Sequence, residues 1–116
     1  MAVRAAVLVG GDLMARARLS EAAARADVEL SAVGFGSMTD TLRVQKPDLV
    51  ILDLDGGREA VLAELQAARA EGLVPERVLG YFSHVDSALS EAAMTAGCRA
   101  VPRGRFWSSL DELFGA

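Results

Sequence analysis

Lys46-Pro47-Asp48-Leu49-Val50-Ile51-Leu52-Asp53-Leu54-Asp55-Gly56-Gly57 is the stretch on which the fold turns. Leu49, Val50, Ile51 and Leu52 form a continuous apolar run, short enough for a strand and suited to burial on both faces. The run is entered through a proline, which pushes the residue before it out of the helical region and stops the preceding helix. It leaves straight into an aspartate and a pair of glycines. A strand of this kind, with a carboxylate at its end, belongs in the middle of a parallel sheet.

The same alternation extends outward on both sides. Upstream, residues 5–9 are a second apolar run, ending in Gly10-Gly11. Residues 13–25 read as a helix, with Ala15, Leu19, Ala22 and Ala23 on one stripe and Asp12 placed to cap its start. A weaker strand at 29–33 and a short helix at 39–44 follow. Downstream, residues 58–71 carry Val61, Leu62, Leu65 and Ala68 on one helical face, with Gly72 as the stop. Residues 78–82 give a fourth strand. Asp86 is the expected N-cap of a helix running to Ala96 and closed by Gly97. Residues 99–101 make a fifth strand, and 108–114 a short final helix.

Five strands alternating with helices imply an α/β domain, a parallel sheet covered on both faces and doubly wound. The 116 residues fit one domain, 1–116. In such sheets ligands and chemistry gather beyond the carboxyl ends of the strands, where strand order reverses. That rule selects residues 10–12, 53–57, 82–84 and 102–104.

The stretch from Lys46 to Leu54 resembles the phosphoacceptor strand of the receiver domains of two-component response regulators: proline, aspartate, four apolar residues, then the acceptor. Thr95-Ala96-Gly97-Cys98 resembles the end of their fourth helix. The resemblance covers the whole chain. It implies a flavodoxin-like, CheY-like fold with strand order 2-1-3-4-5, and it makes Asp53 the candidate phosphoacceptor. Ser83 becomes the candidate switch residue after strand four, and Arg103 stands in place of the lysine after strand five.

Several positions depart from the receiver pattern. Receivers place two adjacent acids after strand one, and Gly10 and Gly11 align there, with Asp12 one residue late. Phe82 falls where a serine or threonine ends strand four, with Ser83 one residue beyond. The loop after the acceptor strand is cut down to Asp55-Gly56-Gly57. Phosphoryl transfer to a carboxylate depends on positioning and on charge neutralisation by a metal. Mg²⁺ wants several oxygen ligands, and Asp12, Asp53 and Asp55 are a weak set. Arginine is also no simple substitute for lysine. The expectation is therefore a pseudo-receiver without cofactor or metal site, in which Asp53 is a strand-end carboxylate paired with Arg103. Asp55 is read as a turn residue before Gly56. Mg²⁺ enters only under the alternative, a working single-domain response regulator phosphorylated on Asp53 by a histidine kinase. A third reading, an anion or nucleotide site at the Gly10-Gly11 turn, has neither the lysine of a phosphate loop nor a dinucleotide fingerprint.

Composition narrows the partners. With 52% apolar residues against 24% charged, the chain has ample material for a core. A net charge of −4 argues against direct nucleic-acid binding. One cysteine, Cys98, and one histidine, His84, exclude a disulfide framework and a thiol or imidazole metal centre. Cys98 reads as a small buried side chain, and Ser83 with His84 as loop residues rather than a nucleophile and base. No apolar run approaches the about 20 residues that span a bilayer, so a cytoplasmic protein without membrane contact is expected. Phe106 and Trp107 leave two readings open. They are core residues of the last helix, or, with Arg99 and Arg105, they form an interaction face for a protein partner or a homodimer. Catalysis is not expected of this chain.

Overall fold

Asp48, the aspartate ahead of the central strand, accepts the backbone N–H groups of Arg4 at 2.8 Å and Ala5 at 3.1 Å. Two strands distant in sequence are thereby pinned side by side: β1 (Ala5–Val9) and β3 (Leu49–Asp53). They run parallel, with Ala6 opposite Leu49 and Val9 opposite Leu52. The computed structural model that shows this describes residues 3–83 and 87–114. The sheet is completed by β2 (Glu29–Val33), β4 (Arg77–Phe82) and β5 (Arg99–Pro102), all parallel, in the order β2-β1-β3-β4-β5. Leu49, Val50, Ile51 and Leu52 are fully buried, as a two-sided strand requires.

Helices cover both faces. On one side α1 (Leu13–Arg25), α5 (Arg103–Ser108) and α6 (Leu110–Leu113) pack over Leu8, Leu49, Ile51 and Tyr81. On the other, α2 (Met38–Val44), α3 (Leu54–Ala70) and α4 (Ser87–Thr95) pack over Val7, Val50, Leu52 and Phe82. The stripe of Ala15, Leu19, Ala22 and Ala23 faces the core as its spacing dictates. Cys98 is buried, and burial pushes its thiol up to about 12, which keeps it protonated and unreactive.

Two helices begin earlier than their sequences suggest. The turn expected at Asp55-Gly56-Gly57 is the first turn of α3, because the Asp53 side chain caps it. The helix is then interrupted at Arg58, whose φ of 38° and ψ of −126° are not helical, and resumes beyond it. At the C-terminus the helix expected over 108–114 starts at Arg103, directly after Pro102, and breaks at Ser109. The Asp86 cap and His84 lie outside the described residues.

Candidate functional site

The carboxyl ends of β1, β3, β4 and β5 bring together Asp12, Asp53, Asp55, Ser83 and Arg103. Asp12 caps α1, its Oδ1 accepting the Ala15 N–H at 2.8 Å. Asp53 ends β3 and caps α3. Its Oδ1 accepts the N–H groups of Asp55 at 3.0 Å and Gly56 at 3.1 Å, and its Oδ2 accepts that of Gly11 at 3.2 Å. The Asp53 side chain thus ties the β1–α1 turn to the start of α3 through main-chain amides.

The ion pair expected between Asp53 and Arg103 forms elsewhere. Arg103 Nη1 lies 3.0 Å from Oδ2 of Asp55, and Nη2 lies 3.9 Å from Oδ2 of Asp12. Ser83 turns to the same carboxylate: its N–H donates to Asp55 Oδ1 at 2.8 Å and its hydroxyl to Oδ2 at 2.7 Å. Asp55 is therefore a hub joining β4 and α5, not merely a turn residue. The cause is the cap. Winding residues 54–57 into a helical turn carries Asp55 round toward β4, while Asp53 is taken up by amides.

Tyr81 lies beneath this cluster. It is fully buried, its ring 5.3 Å from the Arg103 guanidinium, and its hydroxyl has no hydrogen-bond partner among the described residues. Burial, and next the Asp53 charge, raise its pKa well above that of an ordinary tyrosine, so it stays neutral.

Above the cluster sits a residue that the sequence pattern does not single out. The Phe35 ring lies against Gly10, Gly56 and Gly57: a β-carbon at these positions would come within 2.4, 2.9 and 2.5 Å of it. Gly10 and Gly11 both have left-handed backbones, with φ of 87° and 83°. The positions aligned with the receiver acid pair are thus closed to side chains, one by an aromatic ring and both by conformation. The cluster of glycines around a lone phenylalanine is the one signal that could have pointed to Phe35.

The carboxylates of the cluster are already engaged. The oxygens of Asp53 are engaged by amides, a guanidinium holds Asp55 and approaches Asp12, and an acid would collide with Phe35 at position 10 and strain a left-handed backbone at position 11. Among the described residues no group of three or more His, Cys, Asp or Glu is arranged to hold a metal ion.

Arg99 and Arg105 are exposed, as the interaction-face reading requires. Phe106 is not: it is 3% exposed and its ring centre lies 4.9 Å from that of Tyr81. Trp107 is half-buried against Phe106 and Tyr81, with the Arg18 guanidinium 4.5 Å above its ring. Because α5 starts at Arg103, these aromatics turn inward toward α1. Phe106 is a core residue.

No protein-family model and no curated protein matches the chain. Solved structures do. A response regulator from Thermotoga maritima superposes with a TM-score of 0.79 at 19% identity, over 95% of this chain and 92% of that one. The fold is that of a response-regulator receiver domain. The signal receiver domain of the response regulator NarL from Mycobacterium tuberculosis gives 0.71 at 18% identity, over 97% and 92%. A pilus assembly protein, CpaE, from Caulobacter crescentus gives 0.68 at 17%, over 100% and 98%. On this receiver fold, Asp53 holds the end of the central strand, as its position in the sequence led one to expect.

Proposed function

We propose that this chain is a receiver-like signalling domain that works without phosphorylation and acts through protein contacts. The observation that carries the reading is the division of roles between Asp53 and Asp55. Asp53, at the acceptor position, serves as a helix cap. The serine and the cation that would assist a phosphorylated Asp53 are spent on Asp55 instead. An ion pair between Arg103 and Asp55 supplies permanently a link between the starts of α5 and α3 that a receiver would otherwise have to make through a phosphoryl group. The fold neighbours bring two settings for such a domain, since two are named as response regulators and one as a pilus assembly protein. The contact is with another protein of a signalling or assembly system, or with a second copy.

The competing reading is a single-domain regulator in which Asp53 accepts phosphate from a histidine kinase. It draws on the half-buried, unsealed position of Asp53 at the end of β3. Beryllium fluoride with Mg²⁺, a phosphoryl mimic that docks on acceptor carboxylates, separates the two. The amide NMR spectrum is expected to stay unchanged. Shifts centred on Asp53, Ser83 and Arg103, absent in Asp53→Asn, would establish the competing reading.

A further inference from the structure

The first turn of α3 is wound against its own composition. Gly56 and Gly57 are poor helix formers, and an Asp-Gly pair favours a tight turn. Contacts from outside the helix hold it. Asp53 caps it through the N–H groups of Asp55 and Gly56. Ser83 and Arg103 hold Asp55 from β4 and α5. The Phe35 ring lies on Gly56 and Gly57, and a β-carbon at Gly57 would also come within 2.9 Å of Val61.

The wound turn ends in strain. Arg58, with φ of 38° and ψ of −126°, stands near the conformation of the first central residue of a type II′ turn, where glycine is the usual occupant. The residue before it is a glycine. A break moved back onto Gly57 would carry no such penalty, and Arg58, a good helix former, would join the helix. Two arrangements of one segment therefore compete. One has a strained arginine and an intact Asp55 hub, and the other has the bend on glycine and the first turn unwound.

Phe35 stands where it can decide between them. It occupies the second position of a turn closed by the Ser37 N–H on the Gly34 carbonyl at 3.2 Å, with Gly36 third at φ of 89°, the pattern of a type II turn. The residue is 45% exposed. Among the described residues, and apart from chain neighbours, nothing lies within 4 Å of where a β-carbon would stand on Gly34 or Gly36. The loop is thus unpacked on either side of the ring.

We propose that Phe35 is a latch on a two-state segment, residues 53–58. With the ring on Gly56 and Gly57 the turn stays wound, and Asp55 holds Ser83 and Arg103. A contact that draws the ring away favours the unwound arrangement, in which Arg58 relaxes and Asp55 releases β4 and α5. The loop between β2 and α2 thereby controls the link among α3, β4 and α5. The latch goes beyond the phosphorylation-independent reading, because its working groups are Phe35, Arg58 and Asp55 and no phosphoryl transfer enters it.

Amide hydrogen exchange on the full chain, followed by NMR, tests the latch. In the parent the N–H groups of Asp55, Gly56 and Ser83 are expected to exchange through one shared opening that leaves Leu62 and Leu65, buried in the body of α3, protected. Phe35→Ala should speed the three by about tenfold or more beyond any change at Leu62 and Leu65. Phe35→Leu, which keeps an apolar side chain, should do so by less, and it serves if Phe35→Ala does not fold. Arg58→Gly should slow the three by about threefold or more, since glycine relieves the observed arrangement and disfavours the helical one. A ring that only fills space would lower protection everywhere alike. Exchange of the three amides at the rate of Leu62 and Leu65 in the parent, equal acceleration throughout the chain in the Phe35 variants, or no slowing in Arg58→Gly would overturn the proposal.

Discussion

Arg103 reaches from the start of α5 to Asp55, its Nη1 3.0 Å from Oδ2, and leaves the carboxylate at the end of the central strand to the main chain. The two carboxylates stand two residues apart and make different contacts. Asp53 organises backbone at the β1–α1 and β3–α3 turns. Asp55 organises side chains, holding β4 through Ser83 and α5 through Arg103. The two arrangements are linked, because the cap that Asp53 forms winds the turn that positions Asp55.

Removing the hub is expected to be more damaging than removing its cation. Asp55→Ala leaves the Ser83 N–H and hydroxyl and the guanidinium without their acceptor, and should destabilise the chain by about 1–2 kcal/mol. Arg103→Gln removes the ion pair to Asp55, whose partners are 34% and 27% exposed, and the longer one to Asp12, and screening by solvent holds the effect to about 1 kcal/mol or less. Urea denaturation of both single variants and the double variant should give a coupling of about 0.5–1 kcal/mol.

Asp53 has a structural role that isosteric replacement preserves in part. Asp53→Ala deprives three amides of their acceptor and should cost about 1–2 kcal/mol. Asp53→Asn keeps one carbonyl oxygen and should cost less than half as much. Equal, negligible losses in both, by the same denaturation measurement, would contradict the capping role.

Gly10 and Phe35 should be energetically coupled. Gly10→Ala forces a β-carbon onto a left-handed backbone, worth about 1–2 kcal/mol, and also drives it into the Phe35 ring. Phe35→Ala removes the collision but not the backbone strain. The double variant should therefore be more stable than the sum of the two single effects predicts, which thermal melts of the four proteins can show.

The acid limb of the stability curve carries a contribution from Asp48. The N–H groups of Arg4 and then Ala5 hold its carboxyl below the ordinary 3.8. A depressed folded-state value means stability that is present above the unfolded value and lost as the pH falls through the folded one. Asp48→Asn should accordingly flatten the fall in stability between about pH 5 and pH 2, measured by urea denaturation across that range.

The central strand, its proline entry and its terminal aspartate could be read directly, since a four-residue apolar run between Pro47-Asp48 and Asp53 has few other uses. The Asp12 cap and the alanine stripe of α1 were equally legible, because local spacing decides them. The starts of α3 and α5 were not. Asp55-Gly56-Gly57 and Pro102-Arg103-Gly104 have the composition of turns, and in each place something other than propensity wins: the Asp53 cap in the first, and the burial of Phe106 in the second. Which carboxylate receives Arg103 depends on that extra turn of helix, so it was hidden for the same reason. Phe35 reaches Gly10, Gly56 and Gly57 across chain distance, and the glycines that flank it in sequence do not announce that contact.

Intact-mass spectrometry after incubation with acetyl phosphate and Mg²⁺, with Asp53→Asn as control, tests the central claim most directly. A protein whose Asp53 is a helix cap is expected to show no phosphoryl adduct beyond that of the control. An adduct on the parent that is lost in Asp53→Asn would contradict the account and make this chain a phosphorylation switch.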